Sequence, residues 1–196
     1  MVDGTLRDVF IEELRDAYDA EKQLTKALPK MAKAASSLGL RAVFEKHLEE
    51  TRGQLIRLER ILESFDERAI GNQCDGIAAI IDEGQTLLQL RLDSDTLDAC
   101  LIAGGKRLEH YEIAAYTTLV SWARAMSFNE VADVLQQTLD EEKAADDTLT
   151  SLAENGINGD AANAAYPDAD IEDELEVSVS RRNNASKRRS VVIKAT

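Results

Sequence analysis

The sequence predicts an all-α protein, a four-helix bundle built from two antiparallel hairpins. Three observations predict it. Apolar residues recur at spacings of three and four over four long stretches, the period of a buried helical face. The 196-residue composition is 44% apolar, 31% charged and only 5% aromatic, which suits long amphipathic helices and offers little to a sheet. The second and third stretches are separated by a segment far longer than a turn.

The first helix is expected from Thr5 to about Ser36, with Phe10, Leu14, Ala17, Leu24, Leu28 and Met31 on one face. Pro29 removes one backbone hydrogen bond there, so a local kink is expected without an end to the helix. Ser36-Ser37-Leu38-Gly39 reads as a short connection. The second helix follows from about Leu40 to Phe65, and the tight link makes the pair an antiparallel hairpin. The run Gly71-Asn72-Gln73-Cys74-Asp75-Gly76 breaks the pattern, and a shorter helix is expected from Ile77 to about Leu92. Asp93-Ser94-Asp95 supplies cap residues for a third long helix, Thr96 to Met126. Ser127-Phe128-Asn129 leads into the fourth, which should end near Glu154 before Asn155-Gly156. If both hairpins share one bundle, residues 66–93 must run its whole length. That single long crossover is the mark of ferritin-like folds.

Residues 1–157 therefore read as the ferritin-like bundle and 158–196 as a tail of low order, acidic and then basic. Asp160, Asp168, Asp170, Glu172, Asp173, Glu174 and Glu176 precede Arg181, Arg182, Lys187, Arg188, Arg189 and Lys194. The net charge is −14, and setting the tail aside leaves 17 basic against 30 acidic residues, or −13. An acidic body repels nucleic acid, so such a partner is expected only through residues 177–196. The tail lacks an aromatic residue for base stacking there, and folding back on its acidic neighbour is the favoured reading. The two cysteines, Cys74 and Cys100, have no metal-type spacing. Met1-Val2-Asp3-Gly4 begins no basic-then-apolar leader, and no run approaches the ~20 apolar residues of a membrane span. A soluble cytoplasmic protein is expected.

Chemistry enters through acids on core lines, where an unpaired carboxylate is costly. Glu21 continues the first stripe. Val43, His47, Glu50, Gln54 and Leu58 form a line in the second helix, and Glu109 and Glu112 lie on the core side of the third. Glu142 centres the fourth, with Asp146 one turn on. Counted from the turn near residue 38, Glu21 is 17 residues away and Glu50 and Gln54 are 12 and 16; Glu112 and Glu142 each lie 15 from residue 127. At a rise of about 1.5 Å per residue, these groups share one slab at mid-bundle. Divalent metal is the natural counter-charge, because hard oxygen ligands suit manganese, magnesium or ferrous iron. Asp16, Asp19, Glu49, Glu141 and Asp147 fall at stripe edges and are expected to face solvent. Tyr18, one turn before Glu21, and Tyr116, one turn after Glu112, are candidate hydrogen-bond donors to the ligands, beside the alternative of ordinary core tyrosines.

Three strings carry a family resemblance. They are Leu6-Arg7-Asp8-Val9-Phe10-Ile11-Glu12-Glu13-Leu14, continued by Ala20-Glu21-Lys22-Gln23-Leu24; His47-Leu48-Glu49-Glu50-Thr51 with Gln54; and Glu109-His110-Tyr111-Glu112-Ile113-Ala114-Ala115-Tyr116. Over about residues 5–156 the chain resembles the YciE/YciF family of bacterial ferritin-like stress proteins. The resemblance implies a rubrerythrin-like fold, a di-iron centre with two ions per chain, ferroxidase-type chemistry with oxygen or peroxide as oxidant, homodimerisation and a stress role. It also implies metal ligation by Glu21, Glu50, Glu109, Glu112 and Glu142. Typical di-iron bundles use Glu-x-x-His on two helices, whereas Glu50 is followed at that spacing by Gly53 and Glu142 by Ala145. Gln54 and Asp146 are the candidate replacements, His47 a group behind the ligands, and His110 a surface residue. Without imidazoles the site would be harder, and manganese stands beside iron. Two other readings stand beside the oxidase: a structural or interaction protein that keeps the bundle without the chemistry, and a bundle with a nucleic-acid-binding tail.

Overall fold

The computed structural model describes residues 4–70 and 73–165; of the tail expected at 158–196, residues 166–196 lie outside these residues. Helix α1 spans Leu6–Ala34 and starts on a reciprocal cap, in which Thr5 Oγ1 accepts from the Asp8 amide and the Asp8 carboxylate accepts from the Thr5 amide. It continues through Pro29 without ending. Helix α2 spans Leu38–Ser64. Leu38 and Gly39, read above as connection, form its first turn because Ser37 occupies the extended cap position and its hydroxyl accepts from the Leu40 amide.

Helices α3 (Asp75–Leu88), α4 (Ser94–Ala125) and α5 (Asn129–Leu152) follow. Helix α3 ends four residues before the expected Leu92, and Asp93 caps α4 by accepting from the Asp95 and Thr96 amides. Asp66 and Ser127 adopt positive φ, 59° and 63°, just beyond α2 and α4. There the Glu67 amide donates to Leu62 and the Phe128 amide to Ala123, closing both helices with six-residue wraps. After α5 a π-type turn, Ala153–Ile157, carries Gly156 at φ 153°, a conformation that side chains disfavour. Helix α5 thus ends two residues before the expected Glu154 with Asn155-Gly156 in a kink, and the chain resumes as α6, Asn158–Ala165, where the start of a tail of low order was expected.

Around the bundle α1 touches α2 and α4, and α5 touches α2 and α4, while α3 lies over the α1–α4 side. Direction follows from two end contacts. Buried Asp98, in the first turns of α4, accepts from the Ser36 and Ser37 amides at 2.8 and 2.7 Å, placing the start of α4 at the α1–α2 turn. At the other end Phe10, Phe65 and Phe128 stack edge-on or tilted, with ring centroids 5.1–6.3 Å apart. Helix α2 thus finishes at the end opposite the start of α4, and the 65–93 connection traverses the bundle. The fold is the ferritin-like one.

Two apolar layers fill the interior. One holds Phe10, Leu14, Leu58, Leu62, Leu119 and Leu135; the other holds Leu24, Leu28, Leu40, Phe44, Ile102 and Leu149. Gly105 lets α4 approach the second layer, since a Cβ there would sit 3.0 Å from Leu149 and 3.2 Å from Phe44. Between the layers lies a polar waist. Among the described residues, no helix is long and apolar enough to cross a membrane.

Candidate metal centre

Each bundle helix brings a polar side chain to the waist because its apolar stripe is interrupted there. Helix α1 brings Glu21, α4 brings Glu109, Glu112 and Tyr116, and α5 brings Glu142, all buried. On α2 the inward line is His47, Thr51, Gln54 and Leu58, spaced by four, three and four. His47, Glu109, Glu112 and Glu142 each offer a ligand atom, and these atoms lie within 4.8 Å of one another. His47 Nε2 faces Glu109 Oε1 at 3.5 Å and Glu142 Oε2 at 3.6 Å.

Few local groups answer these acids. Tyr116 donates its hydroxyl hydrogen to Glu21 Oε1, and the Gln54 amide nitrogen donates to Glu142 Oε1. Glu21 Oε2, Glu109 Oε2, Glu142 Oε2 and both Glu112 oxygens are buried without a hydrogen-bond partner among the described residues. Glu112 lies against Glu21 without a bond of normal geometry. Burial, reinforced by the mutual charge of the cluster, pushes the carboxyls of Glu21, Glu109 and Glu112 well above the usual range. Burial raises Glu142 too, but His47, Glu109 and Gln54 oppose the shift. Burial and the carboxylates of Glu21 and Glu112 likewise raise the Tyr116 hydroxyl. Orphaned oxygens around one imidazole form a hard donor set, and such a group can hold a metal ion.

The residues expected at the site divide in two. The structure brings together Glu109, Glu112 and Glu142, sets Glu21 and Tyr116 beside them, and uses Gln54 as a donor to Glu142. Glu50 and Asp146 stand apart. The side chain of Glu50 is 23% exposed and bound to Lys46 Nζ at 2.5 Å, because the α2 register turns position 47 inward and position 50 to the flank. His47 and then Lys46 hold its carboxyl below the usual range, against the opposing effect of burial. Asp146 pairs with Lys106 Nζ at 2.5 Å and with the exposed His110 at 3.2 Å. Tyr18 donates to Glu59 at 3.0 Å and not to a waist acid.

Three edge acids also depart from the solvent expectation. Asp16 accepts from Tyr111, Asp19 accepts from the Cys74 amide at 2.9 Å, and Glu141 accepts from both terminal guanidinium nitrogens of Arg57. Glu49 and Asp147 are exposed as expected. The residue that sequence reasoning underweighted is His47. It already stood on the line with Glu50 and Gln54, and the competing spacing through Thr51 keeps it inward while turning Glu50 aside.

The family described as Domain of unknown function (DUF892) matches residues 5–162. Protein YciF of Escherichia coli (strain K12) is 43% identical over 162 residues, spanning 82% of this chain and 98% of that protein. The chain belongs to this family. Among solved structures, that of the E. coli stress protein YciF aligns with a TM-score of 0.75 at 42% identity, covering 79% of this chain and 98% of that one. YcfI from Rhodopseudomonas palustris gives 0.73 at 38%, covering 76% and 94%. A protein from Xanthomonas campestris pv. campestris, at 24% identity and a TM-score of 0.65 over 83% and 99%, supports the fold alone. The helical bundle of this DUF892 chain is thus the architecture of its relatives, and the YciE/YciF resemblance read from its sequence holds.

Proposed function

We propose that this chain is a ferritin-like di-metal protein whose waist holds two iron ions, with manganese as the alternative, and oxidises them with oxygen or peroxide in a stress role. The observation that carries the reading is the set of orphaned oxygens on Glu21, Glu109, Glu112 and Glu142 around His47 Nε2. Bound iron would supply one-electron redox chemistry toward oxygen or peroxide. The protein supplies the rest. Glu112, clustered with Glu109, Glu142 and His47, would hold metal through oxygens that have no hydrogen-bond partner among the described residues. Gln54 ties down one Glu142 oxygen and leaves the other toward His47. Tyr116 orients Glu21, and the apolar layers above and below exclude water. A homodimer in the cytoplasm completes the reading.

The test loads metal-free protein anaerobically with ferrous iron, then admits oxygen. Two ions per chain and a new near-ultraviolet band are expected, both abolished in the Glu112→Ala, Glu142→Ala double variant. Wild-type protein that takes up no iron or manganese sinks the idea. A second reading, a structural or interaction protein without the chemistry, is favoured by one observation. The burial of Glu21, Glu109 and Glu112 favours their neutral forms, which would let the waist close without a cation. That reading expects a melting temperature indifferent to chelators and to added iron.

A further inference from the structure

We propose that Glu50 is a positioning residue, the outer carboxylate that fixes the orientation and tautomer of His47 and so presents His47 Nε2 to the metal centre. The inference rests on the metal reading of the waist. Histidine that ligates through one ring nitrogen must carry its proton on the other, and a carboxylate accepting that proton's hydrogen bond locks the ring.

His47 has the two faces this requires. Nε2 points at Glu109 and Glu142, while Nδ1 is buried without a hydrogen-bond partner among the described residues. The carboxylate facing Nδ1 is Glu50, whose Oε2 lies 3.7 Å away, one turn along α2. Its other oxygen is held by Lys46 Nζ at 2.5 Å. Closing 3.7 Å to a hydrogen bond of about 2.9 Å needs a small side-chain rotation. Glu50 has room for it, because it lines an open cleft between α2 and α5 together with Gly53 and Glu141. Lys46, Glu50 and His47 then form a line from solvent to the waist, with cation, carboxylate and imidazole in alternation. Glu50 thereby serves the centre without entering it, in contrast to the ligand role that the family resemblance implies.

The experiment is an anaerobic titration of the metal-free full chain with Co(II), read by its visible absorption and by bound metal after gel filtration. Glu50→Ala is expected to weaken Co(II) binding about 10–100-fold at unchanged stoichiometry. Glu50→Gln should keep most of the affinity, since its amide oxygen still accepts from Nδ1–H. In a His47→Ala background, Glu50→Ala should cost nothing further. Wild-type affinity in Glu50→Ala overturns the proposal, as does additive loss in the double variant. Loss of a whole ion in both Glu50 variants also overturns it, because Glu50 would then be a ligand. Wild-type protein that takes up no Co(II) fails differently, removing the metal reading and this inference together.

Discussion

The two ends of the bundle and its waist are built from the same helices, yet they solve opposite problems. At the Phe10 end, Leu14, Leu58, Leu62, Leu119 and Leu135 close around three phenylalanines, and burial of apolar area stabilises the fold. About two helical turns inward, Glu21, Glu112 and Glu142 are as deeply buried as those leucines. There burial opposes folding unless the acids are neutral or share a cation. The ends hold the structure, and the waist spends part of that stability on a donor set. The difference teaches that stability and chemistry are separable along the bundle axis.

The largest expected effect breaks an end. Phe10→Ala removes a fully buried ring and should cost about 3–5 kcal/mol in chemical denaturation, by the same amount with and without added metal. At the waist the sign should reverse. Glu112→Leu replaces a carboxyl whose two oxygens have no partner among the described residues and should stabilise metal-free protein by about 1–3 kcal/mol, while removing any rise in melting temperature on adding ferrous iron. A destabilised variant would show that Glu112 has partners the structure does not contain.

Acidity sharpens the same contrast. Glu21, Glu109 and Glu112 have carboxyls raised in the folded state above an unfolded value near 4.5. The folded chain therefore binds more protons between the two values, and stability falls with rising pH there. Their contribution is fully present below about pH 4.5 and is lost as pH climbs through the raised values. Melting temperatures of metal-free wild type should thus decline with pH above that point, and the slope should flatten in Glu112→Leu. The smallest effect belongs to a surface acid. Glu49→Ala breaks an exposed contact with Arg52 and should change stability by less than about 1 kcal/mol, with metal uptake unaltered.

Much of this was legible beforehand. Asp93 announced a helix start because its side chain caps by local geometry alone, and Glu21, Glu112 and Glu142 stood on core lines that a single helix defines. Asp98 was not legible. Its partners, the Ser36 and Ser37 amides, are more than sixty positions away in sequence, and nothing local marks an aspartate for such a contact. Tyr18 and Asp146 sat at the expected heights but turned to Glu59 and Lys106, neighbours contributed by α2 and α4.

By itself the sequence determined the helices, their order, the long crossover and the presence of acids at mid-height, since each depends on local propensity or on period. Tertiary structure decided which side of each stripe faces the centre. Lines through 47, 50 and 54 and through 47, 51 and 54 are both helical, and only packing against α4 and α5 selects the second. That selection turns Thr51 inward and Glu50 to the flank, with His47 facing the centre on either line. A rotation of one helix by part of a turn thereby withdraws Glu50 from the donor set and leaves the His47 imidazole with Glu109, Glu112 and Glu142.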